Sequence, residues 1–363
     1  MARAVRFTEF GGPEVLQVVD IETPVPGEGE VLVEVVAAGT NPVESAIRSG
    51  VYPERWPVSF PEGQGRDLAG VVTAVGPGVT RFKPRDEVMG FVARGSHATH
   101  VAVPESQLAR KPHGVAWEIA GSLYVAGTTA IDALRDTGVG KGDTLLVTSA
   151  AGGVGGLTVQ LALRAGAQVV GTVAERNFDY LRMLGATPVA YGPDLAARIR
   201  DVAPQGISAL ADFFGGDSVD VAIQLGVAPA RISTVLNWEA VDDYGVERAT
   251  AGDVHELLTV AELMEQHKLR MPIADVFSLD EVQAAYRQLD RRESLGKIVI
   301  GMHPVKYRNQ HTRNVDLKQQ DATLGVPTPH QPVGSAEALP PVFGHRRGHA
   351  PTEPGDPRPA GEA

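Results

Sequence analysis

The stretch TSAAGGVGG at 148–156 decides the fold, because four of its last five residues are glycine. It follows a short apolar run, TLLV at 144–147, which is typical of a buried parallel strand. After the glycines, the apolar residues of LTVQLALRAG (157–166) recur at helical spacing, and QVVGTV at 168–173 is a second apolar run. The order strand, glycine loop, helix, strand predicts a βαβ unit of about 30 residues.

The chemistry of this loop follows from its glycines and from the helix behind it. Glycine has no Cβ, so the backbone can turn tightly and approach a bulky anion, while a helix N-terminus presents N–H groups and a partial positive charge. Thr158 stands at the third glycine position of G-x-G-x-x-G, where close packing would favour Gly or Ala. A glycine-rich turn without a ligand is the alternative. We predict that a pyrophosphate is bound by Ala151, Gly152, Gly153, Val154 and Gly155.

Composition bounds the function classes. The chain has 363 residues, of which 43% are hydrophobic, enough for a core and about two domains. Its net charge of −11 argues against a nucleic-acid partner or an anionic membrane. The absence of cysteine excludes disulfides, thiolate zinc ligands and cysteine nucleophiles. We see no apolar run long enough for a transmembrane helix or a signal peptide, and we therefore expect a cytoplasmic protein.

The rhythm of the chain changes near residue 117. Short β-like runs between Pro and Gly turns precede it, with no helix of appreciable length, which predicts a small antiparallel barrel or sandwich. Strand–helix alternation follows it and predicts a doubly wound parallel sheet. The predicted strands are 144–148, 168–173, 188–191, 209–213, 230–235 and 297–301, and the predicted helices are 153–165, 176–184, 193–202, 217–225, 252–268 and 279–290.

Residues 303–363 differ in kind. They hold ten of the 26 prolines and five of the ten histidines, and no apolar period is visible. Such a segment cannot bury enough surface to offset its ordering entropy, so we predict a disordered tail. The spacing of its histidines matches no metal-ligand pattern.

Five stretches in order resemble the zinc-independent quinone oxidoreductase branch of the medium-chain dehydrogenase/reductase superfamily. The resemblance covers roughly residues 1–302. The stretches are AAGTNPVESAIRSGVY (37–52), GQGRDLAGVVTAVGPGV (63–79), VAGTTAIDALRDTGV (125–139), LLVTSAAGGVGGLTVQLA (145–162) and LGKIVI (295–300).

The resemblance implies a GroES-like β-barrel followed by a Rossmann domain, with the cofactor in the cleft between them. The expected divisions are a GroES-like catalytic domain at 1–121, completed by 269–302, and a Rossmann NADPH-binding domain at 122–268. The family transfers a hydride from NADPH to quinones, enones or enoyl thioesters, and its members are often homodimers. The implied fold class is α/β.

The resemblance also implies that no zinc is used. Zinc relatives carry a catalytic Cys, which falls near Asn41 here, and a His-Glu pair, which becomes Arg66-Asp67. An arginine does not lose its proton to bind a metal. We interpret Arg66 and Asp67 as an ion pair at the surface or between domains. His97 and His100 are expected on opposite faces of a strand-like run, where ordinary packing is favoured over metal binding.

The second strand of the βαβ unit favours NADPH over NADH. NAD-binding folds usually place an acidic residue at the end of this strand, whereas Val173 and Ala174 stand there. Arg176 can pair with a 2′-phosphate, and Tyr191 falls where relatives place a phosphate-contacting tyrosine. Glu175 argues in the other direction, because several relatives carry Lys there. An exposed helix-terminal charge for Arg176 and a packing aromatic for Tyr191 are the alternatives.

Four further residues match family positions near the reaction. Thr128 is expected beside the nicotinamide, with a back-bond to its own helix as the alternative. Asn41 is expected to hydrogen-bond a carbonyl or the carboxamide. Tyr52 is expected either to donate a proton or to pack against a flat substrate. Lys297 is expected near the cofactor, or else is a strand-edge lysine.

Three functions follow from these residues. The first is an NADPH-dependent reductase of quinones or α,β-unsaturated carbonyls. The second is an enoyl-thioester reductase that acts in trans with polyketide or fatty-acid machinery. The third is a nucleotide-binding protein without turnover, which a blocked substrate pocket would mark.

Overall fold

The computed structural model describes residues 1–302 of the 363-residue chain. The predicted disordered tail at 303–363 lies outside the described residues.

Antiparallel strands dominate the first 110 residues, as the apolar runs between turns predict. Val31, Val33 and Val35 alternate along the longest strand and are fully buried on one face. The strands are β1 (Ala2–Phe7), β2 (Gln17–Ile21), β3 (Glu30–Gly39), β4 (Glu62–Gly63), β5 (Asp67–Val75), β6 (Glu87–Phe91), β7 (His100–Pro104) and β8 (Leu108–Arg110). Among the described residues they form a small sheet β2-β1-β4 and most of a larger barrel sheet.

Helix α1 (Pro42–Ser49) interrupts these strands, so the expectation of no appreciable helix before residue 115 is wrong. Its start is a capping box, in which Asn41 is the N-cap and the Glu44 carboxylate accepts the Asn41 backbone N–H. Gly50 ends it in the left-handed conformation. The Pro and Gly that bound this helix resemble turn markers, which is why the pattern favoured a loop.

The second half of the chain forms the predicted parallel sheet. The order β11-β10-β9-β12-β13-β14, parallel throughout the described residues, is the Rossmann arrangement. Its strands are β9 (Thr144–Val147), β10 (Gln168–Val173), β11 (Thr187–Ala190), β12 (Ala209–Asp212), β13 (Ile232–Thr234) and β14 (Glu247–Arg248). The fold class predicted from the sequence is confirmed for the described residues.

Helices cover the parallel sheet and join it to the barrel. They are α2 (Trp117–Ala120), α3 (Leu123–Thr137), α4 (Gly153–Arg164), α5 (Phe178–Leu184), α6 (Leu195–Val202), α7 (Ser218–Gln224), α8 (Trp238–Tyr244) and α9 (Val254–Glu265). Short 3-10 turns lie at Pro13–Val15, Glu105–Gln107, Glu175–Asn177, Pro229–Arg231 and Leu279–Glu281. The central helix α3 packs against α4 and α9, and almost all of its side chains are buried.

The chain then returns to the barrel. Strand β15 (Ile273–Ser278) pairs in parallel with β16 (Lys297–Gly301), and β16 pairs antiparallel with β3. Helix α10 (Val282–Asp290) connects them, and a capping box of Ser278 and Glu281 opens the turn before it. This return brings Lys297 beside Thr40 and Asn41. The candidate site described below is built around these residues.

Candidate active site

The glycine loop is shaped by close contacts that only glycine permits. A Cβ on Gly155 would lie 2.3 Å from the backbone oxygen of Ser149. Gly152 is the N-cap of α4, and among the described residues no side chain caps it. The first-turn N–H groups, including that of Val154, have no acceptor within the helix. The loop therefore fits the phosphates of a dinucleotide, which such helix ends bind.

The glycine loop is also attached to strand β16. The N–H of Gly296 donates to the carbonyl oxygen of Ala151 at 2.8 Å, and Gly152 forms a parallel bridge with Gly296. A Cβ on Gly153 would lie 2.6 Å from Cδ of Lys297, so the lysine stem packs directly against the loop. The glycine loop of the parallel sheet thus contacts the barrel at Gly296 and Lys297.

The Lys297 ammonium turns away from the glycine loop into a group of buried polar side chains. It donates to Oδ1 of Asn41 and to the carbonyl oxygen of Thr40, both at 2.6 Å, and lies 3.6 Å from Oδ2 of Asp67. Two hydrogen bonds and one ion pair therefore hold the ammonium. Lys297 is therefore close to the loop predicted to bind the cofactor, but its charge is directed at the protein.

Three hydrogen bonds fix the side chain of Asn41. Its Nδ2 donates to Oε1 of Glu44 at 3.0 Å and to Oδ2 of Asp67 at 3.2 Å, while its Oδ1 accepts from Lys297. These bonds use both amide hydrogens and leave one acceptor lone pair on Oδ1. Asn41 can therefore accept a hydrogen bond from a carboxamide, but donating to a substrate carbonyl would break a bond already made.

Burial and mutual attraction act in opposite directions on the pKa values of Asp67 and Lys297. Burial raises the pKa of Asp67, and the nearby Lys297 ammonium opposes that rise. Burial likewise lowers the pKa of Lys297, and the Asp67 carboxylate opposes that fall. Asp67 also accepts the backbone N–H of Val125 at 2.9 Å, at the start of α3. Asp67 is thus fully buried and forms an ion pair with Lys297, whereas an Arg66-Asp67 pair at the surface or between domains was expected.

Tyr286 extends these contacts to the far side of α1. Its hydroxyl donates to Oε2 of Glu44 at 2.5 Å, and the Arg48 guanidinium lies over its ring at 4.9 Å. Burial raises the pKa of Tyr286 well above 10, so the hydroxyl stays protonated and keeps donating. We call Asn41, Glu44, Asp67, Tyr286 and Lys297 the polar network. Sequence reasoning missed the roles of Glu44, Asp67 and Tyr286, although the capping-box spacing of Asn41 and Glu44 was visible.

A cleft lies between the barrel and the parallel sheet. The barrel side contributes Asn41, Trp56 and Arg66, and the other side contributes Val154, Phe213 and Arg248. Val154 belongs to the first turn of α4, so the cleft opens beside the loop that fits a dinucleotide. The wall is mostly apolar or aromatic, as in other small-molecule sites.

Thr128 and Tyr52 are the two hydroxyl-bearing residues that were predicted near the reaction, and they lie in different surroundings. The Thr128 hydroxyl donates to the carbonyl oxygen of Tyr124 at 2.7 Å and is fully buried, whereas Thr129 lines the cleft. The ring of Tyr52 packs edge-on against Trp56 at 5.8 Å and Trp238 at 6.3 Å, behind the cleft wall. The residue after Thr128 therefore occupies the position expected of Thr128, a difference of one residue that the sequence motif did not resolve.

A second surface lies beyond the end of β10. Arg176 donates to the carbonyl oxygen of Glu293 at 3.2 Å and is 53% exposed. Tyr191 is 57% exposed and stacks on Phe214 at 6.3 Å, and the Arg292 guanidinium lies 5.5 Å from the Phe214 ring centre. We call Arg176, Tyr191, Phe214 and Arg292 the Tyr191 surface. It lies on the side of the sheet where the second strand of a Rossmann fold receives the adenosine ribose.

The histidines do not form a pair. His97 is fully buried before β7, with its Nε2 3.1 Å from the carbonyl oxygen of Gly39, while Nδ1 of His100 is 3.1 Å from the Thr99 hydroxyl. Within residues 1–302, no group of three or more His, Asp or Glu side chains is placed to hold a metal ion. In that same range, no helix is both long enough and apolar enough to cross a membrane.

Comparison with known proteins agrees with the fold. Residues 27–113 match the model of the alcohol dehydrogenase GroES-like domain, and residues 184–300 match that of the zinc-binding dehydrogenase family. A quinone oxidoreductase of Pseudomonas aeruginosa is 31% identical over 334 residues, covering 83% of this chain and 99% of that protein.

Two further relatives bear on function. The polyketide synthase component PikAII of Streptomyces venezuelae is 42% identical over 307 residues, which cover 78% of this chain and 8% of PikAII. The crystal structure of Escherichia coli quinone oxidoreductase complexed with NADPH has a TM-score of 0.74 and 25% identity, and covers 83% of this chain and 100% of that one.

The fold and the site define an NAD(P)H-dependent oxidoreductase built from a GroES-like barrel and a Rossmann sheet. The chain belongs to the quinone oxidoreductase-like branch of the medium-chain dehydrogenase/reductase superfamily.

Proposed function

We propose that this protein uses NADPH to reduce quinones or α,β-unsaturated carbonyl compounds, without zinc. The observation that carries the proposal is the cleft, which opens at the first turn of α4 and is lined by apolar and aromatic side chains. A nicotinamide that reaches the cleft from a pyrophosphate at this helix end meets a flat substrate there. The NADPH complex of the Escherichia coli relative supports the choice of cofactor.

The zinc-free part of the proposal rests on chemistry at Arg66 and Asp67. A guanidinium does not ligate metals, and the Asp67 carboxylate already accepts from Val125 and Asn41 beside Lys297. No cysteine is available anywhere in the sequence as a thiolate ligand. The ion pair of Lys297 and Asp67 at this position supports the proposal that no zinc is bound.

The protein groups orient the reactants and exclude water. Bound NADPH supplies the hydride from C4 of its nicotinamide. Thr129 offers a hydroxyl in the cleft, and Asn41 offers its remaining Oδ1 lone pair to the carboxamide. Trp56 forms a wall for a flat substrate and Tyr52 packs behind it, which favours packing over proton donation for Tyr52. A reduced quinone takes its protons from water in this scheme.

Cofactor selectivity is assigned to the Tyr191 surface. Arg176 and Tyr191 are proposed to contact the 2′-phosphate of NADPH, and the glycine loop from Ala151 to Gly155 its pyrophosphate. The expected domain limits of 1–121 with 269–302, and of 122–268, are part of the same proposal, as is a homodimer joined through the edge of the parallel sheet.

A second candidate is an enoyl-thioester reductase that acts in trans. The similarity of the chain to a polyketide synthase component favours it, because such machinery presents thioester substrates. This function requires that the cleft also admit a phosphopantetheine arm.

Oxidation of NADPH with matched acceptors tests these functions. The wild-type chain is assayed with 1,4-benzoquinone and with a crotonyl thioester, beside the variants Gly155→Ala and Gly140→Ala. A Cβ at Gly155 meets Ser149, whereas nothing lies within 4 Å of one at Gly140. Faster turnover of the quinone supports the first function, faster turnover of the thioester supports the second, and binding without turnover identifies a non-catalytic nucleotide-binding protein. Equal activity of both glycine variants would contradict the role of the loop.

A further inference from the structure

One hydroxyl group joins the carboxyl ends of β9 and β12. Thr148 follows β9 directly and is the first residue of the glycine stretch. Its Oγ1 donates at 2.7 Å to Oδ1 of Asp212, the last residue of β12. Both residues are buried, because β9 and β12 are neighbours in the parallel sheet and their carboxyl ends meet at one edge. The glycine loop is therefore linked to the turn that follows β12.

The same hydroxyl holds the backbone of the two residues after Asp212. Thr148 Oγ1 accepts the N–H of Phe213 at 2.7 Å and that of Phe214 at 3.2 Å. A hydroxyl has one hydrogen to donate and two lone pairs that accept. Because the hydrogen is directed at Asp212, both lone pairs are left for these two N–H groups. The N–H of Phe214 also reaches Oδ1 of Asp212 at 3.2 Å, so it has a second acceptor.

The rings of Phe213 and Phe214 face two different parts of the candidate site. Phe213 is buried and lines the cleft. Phe214 is 47% exposed and stacks on Tyr191 in the Tyr191 surface. Since the two residues are consecutive, the backbone at this point sets the positions of both rings together.

The turn after Phe214 is held by bonds of its own. The N–H of Gly215 donates to the two carboxylate oxygens of Asp212 at 3.1 and 3.2 Å. Gly215 and Gly216 have φ values of 84° and 67°, in the left-handed region that favours glycine. The carbonyl oxygen of Phe214 accepts from Arg292 at 3.1 Å. The segment from Asp212 to Gly216 thus has a defined shape, and the Thr148 hydroxyl attaches it to the glycine loop.

We propose that Thr148 is a positioning residue for the cofactor. Its hydroxyl fixes the backbone that presents Phe213 to the nicotinamide end of NADPH and Phe214 to the adenosine end. A dinucleotide gains from both contacts only if they keep their spacing from the loop that binds its phosphates, and a loose segment would have to be ordered on binding. This inference rests on the proposed binding of NADPH and adds the group that aligns the two ends of the cofactor.

Thr148→Val tests the inference, because it removes the hydroxyl and keeps the shape of the side chain. The buried N–H of Phe213 loses this acceptor, whereas that of Phe214 keeps Asp212. Calorimetry should show NADP⁺ bound about tenfold more weakly than by the wild type. Adenosine 2′,5′-bisphosphate, which has the adenosine half alone, should bind about threefold more weakly. With 1,4-benzoquinone, KM for NADPH should rise and kcat should fall, because the nicotinamide is no longer aligned.

Two further variants assign the effect to this hydroxyl. Thr148→Ser keeps it and is expected to restore both affinities to within about twofold of the wild type. Thr234→Val removes a hydroxyl that donates to Oδ2 of Asp212 at 2.8 Å and accepts from Asn237 at 3.4 Å. Thr234→Val is therefore expected to lower the stability, but to keep the wild-type ratio of the two affinities.

A second pair of variants tests the two ends of the cofactor even if Thr148→Val does not fold. Phe213→Leu is expected to weaken the binding of NADP⁺ and to leave that of adenosine 2′,5′-bisphosphate as in the wild type. Phe214→Leu is expected to weaken the binding of both by the same factor. If Phe213→Leu weakens both equally, the assignment of Phe213 to the nicotinamide end is wrong.

The outcomes separate this inference from the proposed function. The positioning role is overturned, and the reductase function stands, if Thr148→Val binds both nucleotides as the wild type does. The same holds if Thr234→Val changes the ratio as Thr148→Val does, or if Thr148→Ser restores neither affinity. If the wild-type chain binds neither NADP⁺ nor NADPH, the proposed function fails and the inference fails with it. Thermal melts of each variant establish that the compared chains are folded.

Discussion

The polar network and the Tyr191 surface are two groups of charged and aromatic side chains that differ in where their partners are. In the polar network every partner belongs to the protein: Lys297 faces Asn41 and Asp67, and Tyr286 faces Glu44. On the Tyr191 surface, the two aromatic rings are about half exposed, and Arg176 donates to the carbonyl oxygen of Glu293 in a neighbouring loop.

This difference indicates that the polar network is arranged before a ligand binds, whereas the Tyr191 surface is available to recognise one. A buried charge without its partner is expensive, so the network is fixed before any ligand arrives. An exposed arginine contributes little to folding, but it forms a strong bond once a phosphate is present. Substitutions in the network are therefore expected to change stability first, and substitutions on the Tyr191 surface to change affinity for the cofactor.

The largest effect is expected from Asp67→Asn. It removes the carboxylate beside the buried Lys297 ammonium, and breaking a buried pair costs about 3–5 kcal/mol. Equilibrium urea unfolding measures the loss. The control is Asp179→Asn, whose carboxylate pairs with Arg182 at the surface, and for which no measurable change is expected. Equal losses of stability in the two variants would contradict the claim that burial makes the Asp67–Lys297 pair more important for stability than a surface pair.

The next effect is expected from Tyr286→Phe. It deletes a hydrogen bond to the Glu44 carboxylate, and such bonds to charged groups contribute about 1.5–3 kcal/mol. The matched control is Tyr244→Phe, which removes a similar bond to Asp220 at the surface. Chemical denaturation compares the two. A loss in Tyr244→Phe as large as that in Tyr286→Phe would contradict the distinction between buried and exposed partners.

The buried His97 makes the stability of the folded protein depend on pH. Burial lowers its pKa from 6.5, although the nearby Glu44 opposes this shift. Below pH 6.5 the unfolded chain takes up a proton at this residue and the folded chain resists it, so stability falls as the pH falls. The contribution is at most about 1.4 kcal/mol per pH unit.

Unfolding of His97→Gln at several pH values between about 7 and 5 checks this slope. The glutamine amide can still donate to the Gly39 carbonyl oxygen, and the variant is expected to lose stability less steeply than the wild type. His113→Gln, at an exposed position, serves as the control and is expected to keep the wild-type slope. A wild-type slope in His97→Gln would assign the pH dependence to other groups.

The smallest effect on stability is expected from Arg176→Gln, on the Tyr191 surface. Its partner, Glu293, is exposed, so unfolding should be unchanged within error. Calorimetry should instead show NADPH binding about tenfold more weakly, with NADH binding unchanged, because a charge-assisted bond to the 2′-phosphate is lost. Equal weakening for both cofactors would remove Arg176 from the 2′-phosphate site.

The sequence predicted most elements of the parallel sheet because their signals are local. The strands at 144–148 and 168–173 and the helix at 153–165 differ from the structure by one residue or none. Helix α1 was missed because the Pro and Gly at its ends also mark turns. Helix α3 was not delimited, although twelve of its 15 residues are buried in the structure.

The polar network could be predicted only in part, because its members lie far apart along the chain. The motifs drew attention to Asn41 and Lys297, but the bond between them joins residues 256 positions apart. Tyr286 reaches Glu44 across 242 positions, and no local pattern indicates that contact. Thr128 and Thr129 are adjacent, so only the helical rotation seen in the structure decides which one lines the cleft.

The most direct test of the central claim is a single-turnover measurement of NADPH oxidation by 1,4-benzoquinone after exhaustive dialysis against a strong zinc chelator, with the reaction in the absence of protein subtracted. The account predicts a rate that saturates with NADPH and equals that of the undialysed protein. A rate that disappears on dialysis and returns with added zinc would contradict it.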